Sequence, residues 1–401
     1  MPASATNRWT APRAGVPWMR PDYSRSIVNI MASISRALGR KHPYASLPEL
    51  EQALRRGRPW KTKGPRAQGQ RRKRNIVLVV LDGMGYEFLC QHRNSYLYQH
   101  CIGKVTSVFP STTGACIPTF ATGLPPQQHG LTGWFMHEKT MGGVITTLPF
   151  TYRSGEPLPF IINDAYGLRA FAKGLRAEAV QPASIAHTAF SMACYPHRRA
   201  YTTLEGFVRQ TAAASRRARY TYAYWPYLDT IGHARGIGSR DALTHFSMLD
   251  AAMQELARRT QATIIITADH GMLDTPPGHR IALKDHPSLE SCLTLPLCAE
   301  ARAAFCYVRP AKVAAFKAYV RKRLAHACTM RSGESLIAQG YFGRGRPHPR
   351  LRDHVGDFVL LMKEDYILRD ALLGQEPAVL IGNHGGVSPA EMLVPVIVAN
   401  G

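Results

Sequence analysis

The chain has 401 residues, 45% hydrophobic and 19% charged, a balance that excludes wholesale disorder, a collagen-like repeat and a coiled-coil array. It is long enough to bury one large domain with a smaller appendage, and no uncharged apolar run reaches the ~18 residues of a membrane-spanning helix. The net charge of +23 points to nucleic acid, an anionic membrane or phosphate-bearing partners, but residues 1–74 alone hold 17 Lys/Arg against 3 Asp/Glu.

Residues 1–45 are rich in Arg, Ser, Pro and Ala. They read as an organellar-type leader, a flexible arm, or an over-long start with Met31 as the true beginning. Ser26–Ile34 is too polar and interrupted for a secretory signal core, so a cytoplasmic location is expected, with the organellar leader as the alternative. Ser46-Leu-Pro-Glu49 has the form of a capping box and predicts a helix to about Arg56. Lys61–Arg74 is a basic linker without interleaved aromatics, which favours a solvated run making non-specific anion contacts over a nucleic-acid site. Residues 1–74 are therefore expected to be a basic, partly disordered extension with one short helix.

The texture changes at Asn75. Asn75–Leu81 is a continuous β-branched and leucine run, the pattern of a buried parallel strand, and it ends on Asp82-Gly-Met-Gly. Arg219–Tyr224 and Thr263–Thr267 predict further strands. Asp241–Arg259 predicts a helix through Leu243, Phe246, Leu249, Met253 and Leu256, and Lys312–Leu324 a second through Val313, Phe316, Val320 and Leu324. Alternating strands and helices give an α/β fold with helices on both faces of the sheet, whose sites gather at strand C-terminal ends. The eight cysteines form no CxxC pair, which suits free thiols in a reducing compartment.

Three strand ends carry carboxylates: Asp82, Asp229 and Asp269. Two of them come with histidine, in Asp229-Thr-Ile-Gly-His233 and Asp269-His270-Gly, and His384 lies in a later Gly-Asn-His-Gly-Gly. Singly, each is an ordinary turn or loop residue. Together they form a mixed oxygen and nitrogen set suited to Zn²⁺ or Mn²⁺, and large enough for two ions. Phe109–Gly130 supplies hydroxyls, Thr112 and Thr113 among them, where a loop enters a helix. Such a hydroxyl is normally a cap, but the helix N-terminus also favours an anion, and a nearby metal lets a threonine attack phosphorus.

The ordered set resembles the alkaline phosphatase superfamily, specifically its type I phosphodiesterase/nucleotide pyrophosphatase branch: LDGMG at Asp82, Pro-x-x-Thr at Thr113 with ThrGly at 122–123 and HisGly at 129–130, D-x-x-x-H, D-H-G and G-N-H-G-G. The resemblance spans roughly residues 75–400 and leaves residues 1–74 outside. It implies a three-layer α/β/α sandwich with a mostly parallel central sheet and an inserted smaller cap at 280–375. It implies two zinc-type sites, one of Asp229, His233 and His384, the other of Asp82, Asp269, His270 and the Thr113 hydroxyl oxygen. Thr113 would be the nucleophile, with Thr112 as the neighbouring alternative, and a phospho-threonine intermediate would form. The implied substrate is a small phosphate ester, nucleotides included, cleaved at a phosphodiester or pyrophosphate bond. A phosphomonoesterase or phosphonate hydrolase of the same superfamily is the alternative, and a nucleic-acid or membrane-surface binder a further one.

One departure stands out. The branch usually places a phosphate-donating Asn about 21 residues after the nucleophile, where this chain has Trp134. The backbone N–H of Gly114 is a substitute donor, while Trp134 and Phe135 suit a stacked base, an apolar leaving-group pocket or plain core packing. Arg302, Arg309, Arg344, Arg346 and Arg350 are candidates for substrate anions in the cap, and no ligand role is assigned to His129 or His137. A sulfatase reading is disfavoured, since Cys116-Ile-Pro-Thr lacks the arginine of the maturation motif.

Overall fold

The computed structural model describes residues 18–56, 75–375 and 379–400. The basic linker at 61–74 lies outside the described residues. Seven strands form the main sheet: β1 Ile76–Leu81, β2 Cys101–Thr106, β3 Ala177–Pro182, β4 Arg198–Tyr201, β5 Tyr220–Trp225, β6 Thr263–Thr267 and β7 Leu393–Asn400. Their order is β2-β7-β6-β1-β5-β3-β4. From β6 to β4 every pairing is parallel, and β7 joins β6 and β2 antiparallel at one edge. The sheet is mostly parallel, as the sequence indicates. β1 lies at its centre, in register with β5 from Ile76↔Tyr220 and with β6 from Ile76↔Thr263. All six β1 side chains are buried, which is why this strand reads as an unbroken apolar run.

The longer helices are α1 Ile27–Ala37, α2 Pro48–Arg56, α3 Thr113–Thr122, α4 Leu204–Arg217, α5 Tyr227–Arg235 and α6 Arg240–Arg259. α6 begins one residue before its predicted start, capped by Ser239, whose hydroxyl accepts from Ala242 N at 3.2 Å. Its Phe246, Leu249, Met253 and Leu256 are buried as the periodicity requires, whereas Leu243 faces outward. α4 packs on α6, and α1 packs on α2 and α3.

The compositional boundary at residue 74 is not a packing boundary for residues 27–54. Ile27, Val28, Ile30, Met31 and Ile34 of α1 are fully buried in the same apolar core as β1. The polar residues that made this stretch unlike a signal core are the ones that let it be buried. Ser26 and Asn29 bond each other at the helix start, Ser33 donates to Asn29 O at 2.8 Å, and Leu47 N donates to Ser33 Oγ at 2.8 Å. The cations stay at the rim and pair with α2, Arg25 with Glu49 at 2.5 Å and Arg36 with Glu51 at 3.0 Å. α2 thus forms where predicted, but the Ser46 hydroxyl reaches Glu51 rather than closing a capping box with Glu49. A chain beginning at Met31 would lack four buried side chains of α1, those of Ile27, Val28, Asn29 and Ile30.

A second sheet of seven strands is antiparallel throughout, in the order Cys328–Ser332, Phe358–Met362, Ala303–Cys306, Cys298–Glu300, Phe135–Glu138, Gly143–Thr146, Thr151–Tyr152. It draws on residues 135–152 as well as on the 280–375 stretch, the two parts joining where Ala299 pairs with Phe135. The helix predicted over Lys312–Leu324 is present as an α-helix at Val313–Tyr319 that continues into a π-turn at Val320–Leu324. Its Phe316, Val320 and Leu324 pack with Cys306, Leu360 and Met362 in a core of their own. All eight cysteines are free thiols, and among the described residues no helix is long and apolar enough to cross a membrane.

Because Ile30 is fully buried in the core shared with β1, Ile30→Ala is expected to cost about 2–4 kcal/mol in chemical denaturation. An unchanged unfolding midpoint would show that α1 is an appendage rather than part of the core.

Candidate metal centre and nucleophile

The parallel strands deliver the candidate ligands to one edge. Asp82 directly follows β1, Asp229 lies in the first turn of α5 just past β5, and Asp269-His270 follows β6. His384 comes from the loop that leads into β7. Gly83, at φ +74°, lets this edge close: a Cβ there would stand 3.1 Å from both Cα and Cβ of Asp229.

The structure brings all seven predicted site residues together. His270 Nε2 lies 3.3 Å from Asp82 Oδ1, 3.4 Å from Asp269 Oδ2 and 3.1 Å from Thr113 Oγ1. His233 Nε2 lies 3.3 Å from Asp229 Oδ2 and 3.2 Å from His384 Nε2, which is in turn 3.7 Å from Asp229 Oδ1. The His270 and His384 rings stack at 3.8 Å, so the two groups abut. Donor atoms of Asp82, Asp269 and His270 lie within 4.8 Å of one another, as do those of Asp229, His270 and His384.

Each histidine turns Nε2 into this cluster and gives Nδ1 to a backbone carbonyl: His270 to Gly271 O at 3.1 Å, His233 to Gly382 O at 2.8 Å, His384 to Ser111 O at 3.2 Å. That is how a protein fixes the tautomer of a metal-ligating imidazole. Three buried carboxylate oxygens, Asp82 Oδ1, Asp229 Oδ1 and Asp269 Oδ2, have no hydrogen-bond partner. Buried oxygens orphaned in one place beside three imidazoles fit divalent cations, which would satisfy them directly. The electrostatics agree. Burial, then Asp269 and Asp229, raise the Asp82 carboxyl well above the usual range, and burial pushes Asp229 up to about 7. Burial together with His270 and His233 lowers His384 well below an ordinary imidazole.

Geometry separates the two threonines. Thr112 is the N-cap of α3, and its hydroxyl donates to Glu300 Oε1 at 2.5 Å rather than to a residue of the ligand cluster. Thr113, the first helical residue, places Oγ1 beside His270 and 3.5 Å from Asp82 Oδ2. Three residues escaped the sequence reading. Tyr224 donates its hydroxyl to Asp82 Oδ2, Glu300 reaches Thr112 from the second sheet, and Arg369 donates to Asn383 Oδ1 at 2.8 Å beside His384. Tyr224 alone carried a signal, as the last tyrosine of the alternating YTYAY run at a strand end.

Two of the five candidate arginines are taken up by carboxylates of the chain itself. Arg302 is buried and forks onto Glu391 at 3.0 and 2.9 Å. Glu391 also accepts from Gly386 N at 2.7 Å, and its carbonyl accepts from Gly271 N at 2.8 Å. This buried pair therefore braces the loops of both His384 and His270. Arg350 is bound to Glu138 at 2.9 Å, while Arg309, Arg344 and Arg346 are exposed. His129 bonds Thr119 at 3.1 Å and His137 packs against the Tyr307 ring, so neither joins the cluster. Gly114 abuts Gly133 and Trp134 so closely that a Cβ would meet the Gly133 carbonyl at 2.5 Å, and Trp134 is half-buried beside it.

Comparison with known proteins gives a consistent result. The family model for type I phosphodiesterase / nucleotide pyrophosphatase matches residues 76–386. No curated protein matches the sequence. Among solved structures, murine ectonucleotide pyrophosphatase / phosphodiesterase 5 is 17% identical, with a TM-score of 0.61, over 80% of this chain and 87% of that one. An inactive variant of the murine protein, in complex with AMP, is 17% identical, with a TM-score of 0.60 over the same shares. Phosphonoacetate hydrolase from Sinorhizobium meliloti 1021, in complex with phosphonoacetate, is 18% identical, with a TM-score of 0.60, over 81% of this chain and 90% of that one.

Two outcomes follow from the geometry. Carboxyls held at raised pKa must lose protons to bind a cation, so divalent-ion affinity is expected to climb with pH and to fall away as pH drops through about 7. Calorimetric titration of chelator-stripped protein in buffers of different ionisation enthalpy should show proton release, and buffer-independent heats would contradict it. Arg302→Met strands the buried Glu391 carboxylate and should cost about 3–5 kcal/mol in denaturant unfolding; a loss under 1 kcal/mol, of the order of an exposed pair, would refute the bracing role.

Proposed function

This chain belongs to the type I phosphodiesterase/nucleotide pyrophosphatase family, and from that premise we propose that it cleaves phosphodiester or nucleotide pyrophosphate bonds through a phospho-threonine at Thr113. The observation that carries this reading is the threefold arrangement of His233, His270 and His384, each with Nδ1 on a carbonyl and Nε2 facing orphaned carboxylates, with the Thr113 hydroxyl 3.1 Å from one of them. The AMP in the murine relative supports a nucleotide or similar ester as substrate.

Asp82, Asp269 and His270, with Thr113 Oγ1, would hold one divalent ion, and Asp229, His233 and His384 the other; zinc suits this donor set best, and manganese also fits. The pair of ions would supply Lewis acidity, lowering the pKa of the threonine hydroxyl and of water and offsetting charge on the phosphoryl and leaving groups. The rest is done by the chain. α3 places Thr113 at its N-terminus, where free backbone N–H groups favour an approaching anion. The Thr113 hydroxyl gives up its proton as its oxygen attacks phosphorus, the Oγ–P bond forms, and the bond to the leaving oxygen breaks, that oxygen departing as an anion that takes up a proton from solvent. Water then attacks the phospho-threonine, returning the hydroxyl to Thr113. Tyr224 holds one oxygen of Asp82, so the other stays directed at the cluster. Arg302 and Glu391 keep the His270 and His384 loops from drifting while charge moves between them.

Thr113→Ala is expected to lower metal-dependent turnover of bis-p-nitrophenyl phosphate by at least about a thousandfold while bound metal persists. Wild-type rates in that variant would remove Thr113 from the chemistry. Phosphonoacetate belongs in the same assay: faster release of phosphate from it than of nitrophenol from the diester would favour the phosphonate hydrolase alternative.

A further inference from the structure

The second sheet reaches the N-cap of α3 through Glu300. This residue ends the strand Cys298–Glu300, paired with Ala303, and reaches across to the N-cap of the nucleophile helix. Its placement is over-determined. Ala299, immediately before it, has φ +63°, a left-handed conformation that residues with a Cβ rarely adopt and that clusters at functional sites. Two glycines clear the space around it. A Cβ on Gly133 would stand 2.5 Å from Ala299 Cα, and a Cβ on Gly385, at φ +109°, would stand 2.4 Å from Glu300 Cβ. Gly385 adjoins His384, so the carboxyl is pressed between the His384 loop and the start of α3.

One oxygen, Oε1, takes the Thr112 hydroxyl at 2.5 Å. The other makes no hydrogen bond with the described residues and is not among the orphaned buried atoms. The side chain is partly exposed, as are Thr113, Asp229 and His233, while Asp82, Asp269, His270 and His384 lie beneath them. Burial pushes the carboxyl up to about 7, and Thr112, Arg369 and His233 oppose it in favour of the charged form.

We infer that Glu300, held by Thr112 one residue from the nucleophile, is the specificity residue that makes the site favour singly charged phosphodiesters over doubly charged phosphomonoesters. The inference rests on the phosphohydrolase reading above and specifies its substrate class. A carboxylate at that position repels a dianionic phosphoryl group more than a monoanionic one. Thr112 keeps the charge in place, and the kink at Ala299 aims it.

The test compares kcat/KM for bis-p-nitrophenyl phosphate, a monoanion, with that for p-nitrophenyl phosphate, a dianion at pH 8, on the full metal-loaded chain. Glu300→Gln is expected to lower the diester-to-monoester ratio by about tenfold, chiefly through faster monoester turnover, with metal content unchanged. Thr112→Val, which frees the carboxylate without removing it, should shift the ratio in the same direction, and Glu300→Gln should then add less than it does alone. An active wild type whose ratio stays within twofold in Glu300→Gln would overturn the inference, as would an equal loss on both esters, the mark of a purely structural role. A metal-loaded wild type that turns over neither ester would instead overturn the phosphohydrolase reading itself.

Discussion

Three aspartates whose unpaired oxygens are buried within a few ångströms of each other are the constraint on which the rest of this structure depends. Asp82 Oδ1, Asp229 Oδ1 and Asp269 Oδ2 are buried without a hydrogen-bond partner and Asp229 and Asp269 act on Asp82 by repulsion, a combination that is costly unless something positive is placed among them. No lysine or arginine of the described residues hydrogen-bonds to any of the three; the partners supplied are imidazole edges, a tyrosine hydroxyl, a threonine hydroxyl and backbone N–H groups. The chain therefore builds a cavity for cations rather than a salt-bridge network. The carbonyl anchors on three histidines and the close approach at Gly83 follow from the same demand, since ligands must stand still before the ion arrives.

That demand also explains how the two sheets are joined. The main sheet supplies the carboxylates, but the loops carrying His270 and His384 need support on their outer side. The second sheet supplies it through Arg302, in the turn between two of its strands, whose fork onto Glu391 spans 89 residues of sequence. A buried ion pair is a weak stabiliser in general, yet here it fixes the register of two loops. The same sheet then contributes Glu300 beside the nucleophile. The second sheet thus braces the loops of the candidate metal centre and reaches the start of α3 through Glu300.

Much of this was legible in the sequence because buried parallel strands advertise themselves. NIVLVVL and TIIIT are continuous apolar runs that end abruptly on carboxylates, and ordered motifs then located the histidines. Only the family resemblance set Thr113 ahead of Thr112 in the sequence: adjacent hydroxyls look alike until the N-cap turn sends one to Glu300 and the other to His270. α1 was hidden for a different reason. Its Ser26, Asn29 and Ser33 lower its hydrophobicity, and only the folded structure shows them satisfied by one another and by Leu47. Arg302 looked like an anion-binding candidate because its partner Glu391 is remote in sequence, and Glu300 carries no local signature at all.

The central claim is that Thr113 becomes covalently phosphorylated during turnover. The most direct measurement is rapid acid quenching of metal-loaded enzyme with bis-p-nitrophenyl phosphate, followed by peptide mass analysis. The account predicts a phosphoryl adduct, still carrying one nitrophenyl ester, on the peptide containing Thr113 and localised to that residue. Steady turnover with no adduct on Thr113, or with the adduct on Thr112, would contradict it.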